Sequence, residues 1–261
     1  MSAPARFRAL HQRRRLFVMP NPWDVGSARL LASLGFEALA TTSAGLAWTL
    51  GKLDQQVTRD ELVVHVESLA AATGLPLNVD SERCFPDDPG GVAETVRLLA
   101  EAGAVGCSIE DYDPAGGNID PVEVAAARVA EAKGAPGGLV VTARAENHLH
   151  GIDDLDDTIA RLAAYREAGA DCVYAPGLAR LEQIAAVVEA VGVPVNVLAL
   201  AAGPSVAELA SVGVRRVSTG GALARAAYGA LLAGARELQE SGTSTYTAGG
   251  IGNDDLEAAL G

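Results

Sequence analysis

The feature that most constrains this chain is a unit repeated along it: an alanine-rich stretch with helical spacing, a glycine, then a short apolar run. It recurs at ASLGFEALATTS (32–43), ATGLPLNVD (72–80), EAGAVGCSIED (101–111), EAGADCVYAP (167–176), AVGVPVNVLA (190–199) and ASVGVRRVSTG (210–220). The glycine suits the left-handed residue that ends a helix. An apolar run without polar alternation suits a strand covered on both faces. LFVMPNPWD (16–24) and GGLVVTARAE (137–146) supply two more such strands, eight in all. The intervening segments, among them DELVVHVESLAAATG (60–74) and DTIARLAAYREAG (157–169), carry the helical period. Eight strands alternating with helices predict a closed parallel (β/α)8 TIM-type barrel rather than a doubly wound sheet. No linker-like composition divides residues 1–261, so a single domain is expected.

Hydrophobic residues make up 49% of the chain and aromatics only 4%, which leaves Ala, Val and Leu to fill the core. A formal net charge of −13 argues against nucleic acid and anionic membranes as partners. Small carboxylates remain open, because a metal ion and a buried arginine reverse the local field. The one basic run, Arg13-Arg14-Arg15, reads as a solvated entry to the first strand. Three cysteines, Cys84, Cys107 and Cys172, indicate a reducing compartment and no disulfide framework. No apolar run reaches membrane-spanning length and the N-terminus lacks a signal-peptide core, so a soluble cytoplasmic protein is expected. The tail QESGTSTYTAGGIGNDDLEAALG, after Leu238, leaves three options open: covering the barrel end, reaching a neighbouring subunit, or partial disorder.

In such a barrel the chemistry lies at the C-terminal ends of the strands. Those ends carry Asn21 and Asp24; Thr41, Thr42 and Ser43, followed by Ala44 and Gly45; Asp80 and Glu82; Glu110 and Asp111; Arg144, Glu146, Asn147 and His148; and Asn196 on the seventh strand. Carboxylates at successive strand ends without a Cys or His partner suit a hard divalent cation, Mg2+ or Mn2+. Arg144 in the same ring suits bidentate pairing with a substrate carboxylate. The turn at Thr42–Gly45 is placed to offer backbone N–H groups to a carboxylate or oxyanion. His148 and His150 are further acid/base candidates, set against an ordinary loop role. Cys84, beside Arg83, is a candidate acid, base or nucleophile, set against a small residue filling a turn. Cys107 and Cys172 read as core fillers.

The segments PNPWDVGSARL, TTSAGLAWTLGKLDQQ, PLNVDSER, GCSIED, VVTAR, VPVNVLA and GVRRVSTGGALARAAYGAL, in this order, resemble the isocitrate lyase/phosphoenolpyruvate mutase superfamily over residues 16–235. The resemblance implies a (β/α)8 barrel, often with its last helix exchanged between subunits, and a tetramer assembled as a dimer of dimers. It implies that Asp80 contacts Mg2+ directly and that Asp54, Glu82 and Glu110 hold it through water. It further implies that Arg144 binds the substrate carboxylate, that Thr42, Ser43 and Ala44 bind its carboxylate and carbonyl oxygens, and that Asn196 lies near the substrate. Arg144, Glu110, Asn118 and Cys84 are then the residues expected to carry the chemistry.

The departures from that pattern bear on the reaction. After the third strand, members commonly keep two glycines where this chain reads Asp80-Ser81-Glu82-Arg83-Cys84-Phe85-Pro86. The loop that carries the catalytic cysteine in isocitrate and methylisocitrate lyases is here the short, thiol-free DYDPAGGNID (111–120), whose Gly-Gly pair suggests a mobile flap. Of the mutase loop's Lys and Asn, only Asn118 is matched, and Gly116 stands at the Lys position. The reading that follows is a metal-dependent C–C lyase or decarboxylase acting on a small 2-oxo or 2-hydroxy (di)carboxylate. The alternatives are a C–P bond enzyme of the phosphonopyruvate hydrolase or phosphoenolpyruvate mutase type, and a barrel that binds a metabolite without turnover.

Overall fold

The computed structural model describes residues 2–261. Eight parallel strands form the barrel: β1 (Phe17–Met19), β2 (Leu39–Ala40), β3 (Leu77–Asp80), β4 (Gly106–Glu110), β5 (Val140–Arg144), β6 (Cys172–Tyr174), β7 (Val195–Leu198) and β8 (Arg216–Ser218). They pair in sequence order from β2 to β8, and β8 pairs with β1, Phe17 opposite Arg216 and Met19 opposite Ser218. Between β1 and β2 the ring is joined by the amide of Ala40, which donates to the Pro20 carbonyl at 3.1 Å. Asn21 reinforces that seam: its Nδ2 donates to the Thr41 carbonyl at 2.7 Å, and its Oδ1 accepts from the amides of Thr219 and Gly220. This is the expected (β/α)8 architecture.

Helices follow the strands as the glycine-terminated repeats require. Arg59–Thr73 ends on Gly74 at φ 62° and Leu181–Val191 on Gly192 at φ 68°, both left-handed conformations that glycine adopts without a Cβ clash. Helix starts are fixed by side-chain caps, as where Thr58 accepts from the amide of Glu61 and the Glu61 carboxylate accepts from the amide of Thr58. The larger core lies between the strands and this helical layer, with Leu62, Val66, Leu69, Leu99, Leu162 and Ile184 among its buried members.

A helix over Ala3–Gln12, which the repeat does not announce, closes the N-terminal end of the barrel. Its Phe7 is fully buried among Phe17, Val105 and Val140. Gly106 makes room for it, since a Cβ there would lie 2.7 Å from the Phe7 ring. With that end filled, the cleft inside the barrel opens at the C-terminal ends of the strands.

The last long helix, Ala222–Ser241, buries only Ala224 and Gly234 and leaves Leu231, Leu232 and Leu238 exposed. After a short 3-10 turn, Thr245–Gly249, the helix Asn253–Leu260 packs on the helix Val25–Ser33 that follows β1. The tail is therefore ordered secondary structure in contact with the barrel wall. Among the described residues no helix is long and apolar enough to cross a membrane.

Candidate active site

Period-two alternation sends every second residue of a strand toward the barrel axis. The result is a cleft of about 160 Å3 at the C-terminal end, lined by Asp54, Asp80, Arg144, Tyr174 and Asn196 together with the Thr41–Ala44 segment. At its centre is Arg144. Nη1 donates to Asp80 Oδ1 at 2.6 Å, Nη2 pairs with Glu110 Oε2 at 3.2 Å, and Nε donates to Glu146 Oε1 at 2.7 Å. Its guanidinium also lies 5.5 Å from the Tyr174 ring centroid. Burial alone would make the guanidinium easier to deprotonate, but Glu146, Glu110 and Asp80 outweigh it and raise its pKa well above the ordinary value.

Asp80 is held from three sides: by Arg144, by the amide of Ser43 at 3.0 Å on Oδ2, and by the hydroxyl of Ser108 at 3.3 Å on Oδ1. Glu110 Oε1 accepts from Gln55 Nε2 at 2.8 Å, and burial pushes the Glu110 carboxyl well above its usual range. Glu82, 8% exposed, is pushed up to about 8, first by burial and then by Asp80 and Asp54 beside it. Asp54, at the mouth of the cleft, is raised by burial and by Asp80. Thr42 caps the helix Ser43–Thr49 by accepting from the amide of Gly45. A Cβ on Gly45 would lie 2.5 Å from Thr42 Cγ2 and 2.8 Å from Trp23 Cβ, so the turn that puts Ser43 and Ala44 in the cleft requires glycine.

Whether these acids suit a divalent cation depends on how the ion would be held. Among the described residues, no three His, Cys, Asp or Glu side chains are arranged to chelate a metal directly. An ion that keeps most of its waters does not need such a cluster. Two observations favour it. Glu82 Oε1 is buried without a hydrogen-bond partner, and Asp54, Asp80, Glu82, Glu110 and Glu146 share a single guanidinium cation. The residues fit a hydrated divalent cation held beside Asp80 and Glu82.

The structure thus gathers Thr42, Ser43, Ala44, Asp54, Asp80, Glu82, Glu110, Arg144 and Asn196. Two of the residues expected to carry the chemistry lie elsewhere. Cys84 is in the hydrophobic core at 0% exposure, with its thiol pushed up to about 12 by burial; it lines no part of the cleft. The cause is the turn after β3, where Glu82, Cys84 and Phe85 all take positive φ and the chain folds back, carrying the thiol inward. Asn118 is exposed on a hairpin, Tyr112–Asp113 paired with Asn118–Ile119, and its Nδ2 donates to the Ile119 carbonyl at 3.3 Å. That hairpin is no loose flap: Arg83 holds it through Asp113 at 2.9 Å and Asp120 at 3.1 Å. His148 is engaged by Thr158 and Asp153, and His150 stacks on Tyr112; neither lines the cleft.

Gln55, Tyr174, Asn78, Ser108, Ser218 and Arg216 also belong to the site, although none of them is among the candidate site residues expected from the sequence. Gln55 directly follows Asp54, and Ser108 precedes Glu110 by one alternation, so the strand period alone could have found Ser108.

Comparison with known proteins agrees with this geometry. The family model described as phosphoenolpyruvate phosphomutase matches residues 7–239. A crystal structure of a lyase/mutase candidate from Burkholderia cenocepacia J2315 is 52% identical, covers 98% of this chain and 94% of its own, and superposes with a TM-score of 0.92. Oxaloacetate decarboxylase of Paraburkholderia xenovorans is 32% identical over 98% of this chain and 89% of its own length. A structure of oxaloacetate acetylhydrolase with the product oxalate is 26% identical, covers 99% of this chain and 94% of that one, and has a TM-score of 0.86. The fold, the acid ring around Arg144 and these matches together place the chain in the isocitrate lyase/phosphoenolpyruvate mutase superfamily.

Proposed function

We propose that this protein is a Mg2+-dependent (or Mn2+-dependent) lyase, of carboxy-lyase or oxo-acid-lyase type, that breaks a C–C bond of a small 2-oxo or 2-hydroxy (di)carboxylate through an enolate. The observation that carries the reading is the excess of carboxylates around Arg144, with Glu82 left partly unsatisfied beside Asp80. Asp80 would hold the ion directly, with Asp54, Glu82 and Glu110 acting through water. When bound there, the ion would supply Lewis-acid polarisation of the 2-oxo group and compensation for enolate charge.

The protein's own groups do the rest. Arg144 Nη1, now on Asp80, is the donor that a substrate carboxylate takes over, while Nε on Glu146 keeps the guanidinium plane fixed. The amides of Ala44 and of Ser43, the latter now donating to Asp80, are the ones the carbonyl oxygen would take at the start of their helix. The Tyr174 hydroxyl is raised by burial and stays protonated, so it serves as a donor. Among the described residues no thiol or imidazole lines the cleft, so nothing there stands in for the loop cysteine of the isocitrate and methylisocitrate lyases as a proton donor to the enolate. That suits decarboxylation better than cleavage of a branched tricarboxylate.

Support for lyase chemistry also comes from the relatives, which include an oxaloacetate decarboxylase and a probable 2-methylisocitrate lyase. The deciding experiment is turnover of oxaloacetate against phosphonopyruvate, each with Mg2+ and with chelator. Mg2+-dependent loss of oxaloacetate supports the proposal. Turnover of phosphonopyruvate alone would move the protein to C–P chemistry, and binding without turnover of either would make it a metabolite-binding barrel. The exposed leucines of Ala222–Ser241 support an oligomer formed through this helix, for which the superfamily resemblance implies a dimer of dimers.

A further inference from the structure

We propose that Arg216 is an anion-binding residue at the floor of the cleft and makes the site selective for dianionic acids, those with a second acidic group beyond the carboxylate met by Arg144. The proposal rests on the lyase reading only for that first carboxylate.

Arg216 opens β8 and is 1% exposed, yet it lines the same cleft as Arg144. Its partners are all neutral. Nε donates to Asn196 Oδ1 at 2.9 Å, Nη2 donates to Thr142 Oγ1 at 3.0 Å, and Nη1 meets His11 Nε2 at 3.1 Å. His11 acts there as an acceptor, because its Nδ1 lies 2.9 Å from the Phe7 carbonyl and serves as the donor. Burial and the neighbouring Arg216 keep that ring neutral. Among the described residues no carboxylate lies within ion-pair distance of Arg216. By contrast Arg83, Arg128, Arg144 and Arg161, the other arginines around the barrel mouth, each pair with at least one carboxylate.

A buried guanidinium without a counter-ion is costly, and a fold retains one where something else compensates the charge. The guanidinium has five N–H groups and these contacts account for three. The walls above it, Asn78, Ser108, Asn196 and Ser218, form a polar shaft rather than the layer of branched apolar side chains usual in such barrels. Asn78 Oδ1, in the same shaft, is buried without a partner. Cation and spare donors at the bottom, with acids concentrated at the top, favour an anion whose second charged group points down the axis. Arg216 also fixes the Asn196 amide: with Oδ1 held, Nδ2 is left to donate to Ser218 at 2.9 Å.

The test uses malate and 2-hydroxybutyrate, which differ by a terminal carboxylate in place of a methyl group. Binding of each is measured by calorimetry in the presence of Mg2+ for wild type, Arg216→Gln and Arg216→Lys, with folding checked by thermal melting. The expected result is at least tenfold tighter binding of malate by wild type, reduced to within twofold in Arg216→Gln by weaker malate binding alone. Equal affinities in wild type, an unchanged preference in Arg216→Gln, or an equal loss for both acids would each overturn the proposal. Should Arg216→Gln not fold, Arg216→Lys is read instead: the preference shrinks if the planar fork binds the second group and persists in full if it does not. A malate preference without oxaloacetate turnover would defeat the lyase reading and leave this one standing; turnover without the preference would do the reverse.

Discussion

Replacing Arg144 tests both the stability and the chemistry of the site. The guanidinium reaches Asp80 and Glu146 from opposite edges, through Nη1 at 2.6 Å and Nε at 2.7 Å, with Glu110 on Nη2. A lysine keeps the charge, but one ammonium cannot span those directions or present a planar fork to a carboxylate. The expected loss in Arg144→Lys is about 2–4 kcal/mol of transition-state stabilisation, the scale for disrupting a buried charged pair. At about 1.4 kcal/mol per tenfold, that is roughly 30- to 1,000-fold in kcat/KM. Arg144→Ala also removes the cation from two nearly buried carboxyls, Glu110 at 4% and Glu146 at 3% exposure. Burial already raises both carboxyls, and without Arg144 they rise further. An acid whose folded pKa is raised costs stability as pH climbs above its unfolded value, about 4.3. The Arg144→Ala deficit should therefore be small at pH 4 and reach about 3–5 kcal/mol near pH 8 if the acids ionise unpaired. Steady-state turnover of oxaloacetate and urea melts at the two pH values measure both effects. A kcat/KM within a few-fold of wild type for both variants would refute the role of Arg144, and a pH-independent deficit would refute the charge argument.

Cys84→Ser should leave turnover within about twofold of wild type, and the native thiol should resist alkylation, because it is fully buried with its pKa pushed up to about 12; wild type should also fail to cleave isocitrate or methylisocitrate, and robust cleavage lost in Cys84→Ser would reverse that assignment. Gly45→Ala should abolish measurable turnover by displacing Thr42 and Ser43, and a fully active, normally melting variant would contradict the steric argument. His11 is depressed from 6.5 to about 3 by burial and by Arg216, so the unfolded chain binds the extra proton between those values. Its share of stability is present above about pH 6.5 and lost as pH falls toward 3, and His11→Gln should flatten the decline in melting temperature between pH 7 and pH 4.

How far the sequence could be read depended on whether each interaction was local. The barrel was legible because helix, glycine and apolar strand recur with their own periods. Asp80 and Arg144 were legible because each ends such a strand. Cys84 was misplaced because the positive-φ turn at Glu82–Phe85 reverses the chain within three residues, which no period reports. Arg216 escaped because it opens its strand rather than ending it, and its partners Thr142 and His11 lie 74 and 205 residues away. The Arg83 contacts to Asp113 and Asp120 are likewise 30 and 37 residues distant, so glycines that suggested a mobile flap turned out to shape a fastened hairpin.

The most direct test of the central claim is the Mg2+ dependence of oxaloacetate turnover in wild type and Asp80→Asn, measured side by side. Asn keeps the shape of Asp80 but gives up the carboxylate that meets Arg144 Nη1, the Ser43 amide and the proposed metal ion. Wild type should turn over oxaloacetate with Mg2+ and lose that activity with chelator. Asp80→Asn should melt cooperatively and show no Mg2+-dependent activity. Turnover that survives chelation in wild type, or an undiminished Mg2+ response in Asp80→Asn, would contradict a metal-dependent lyase built on Asp80.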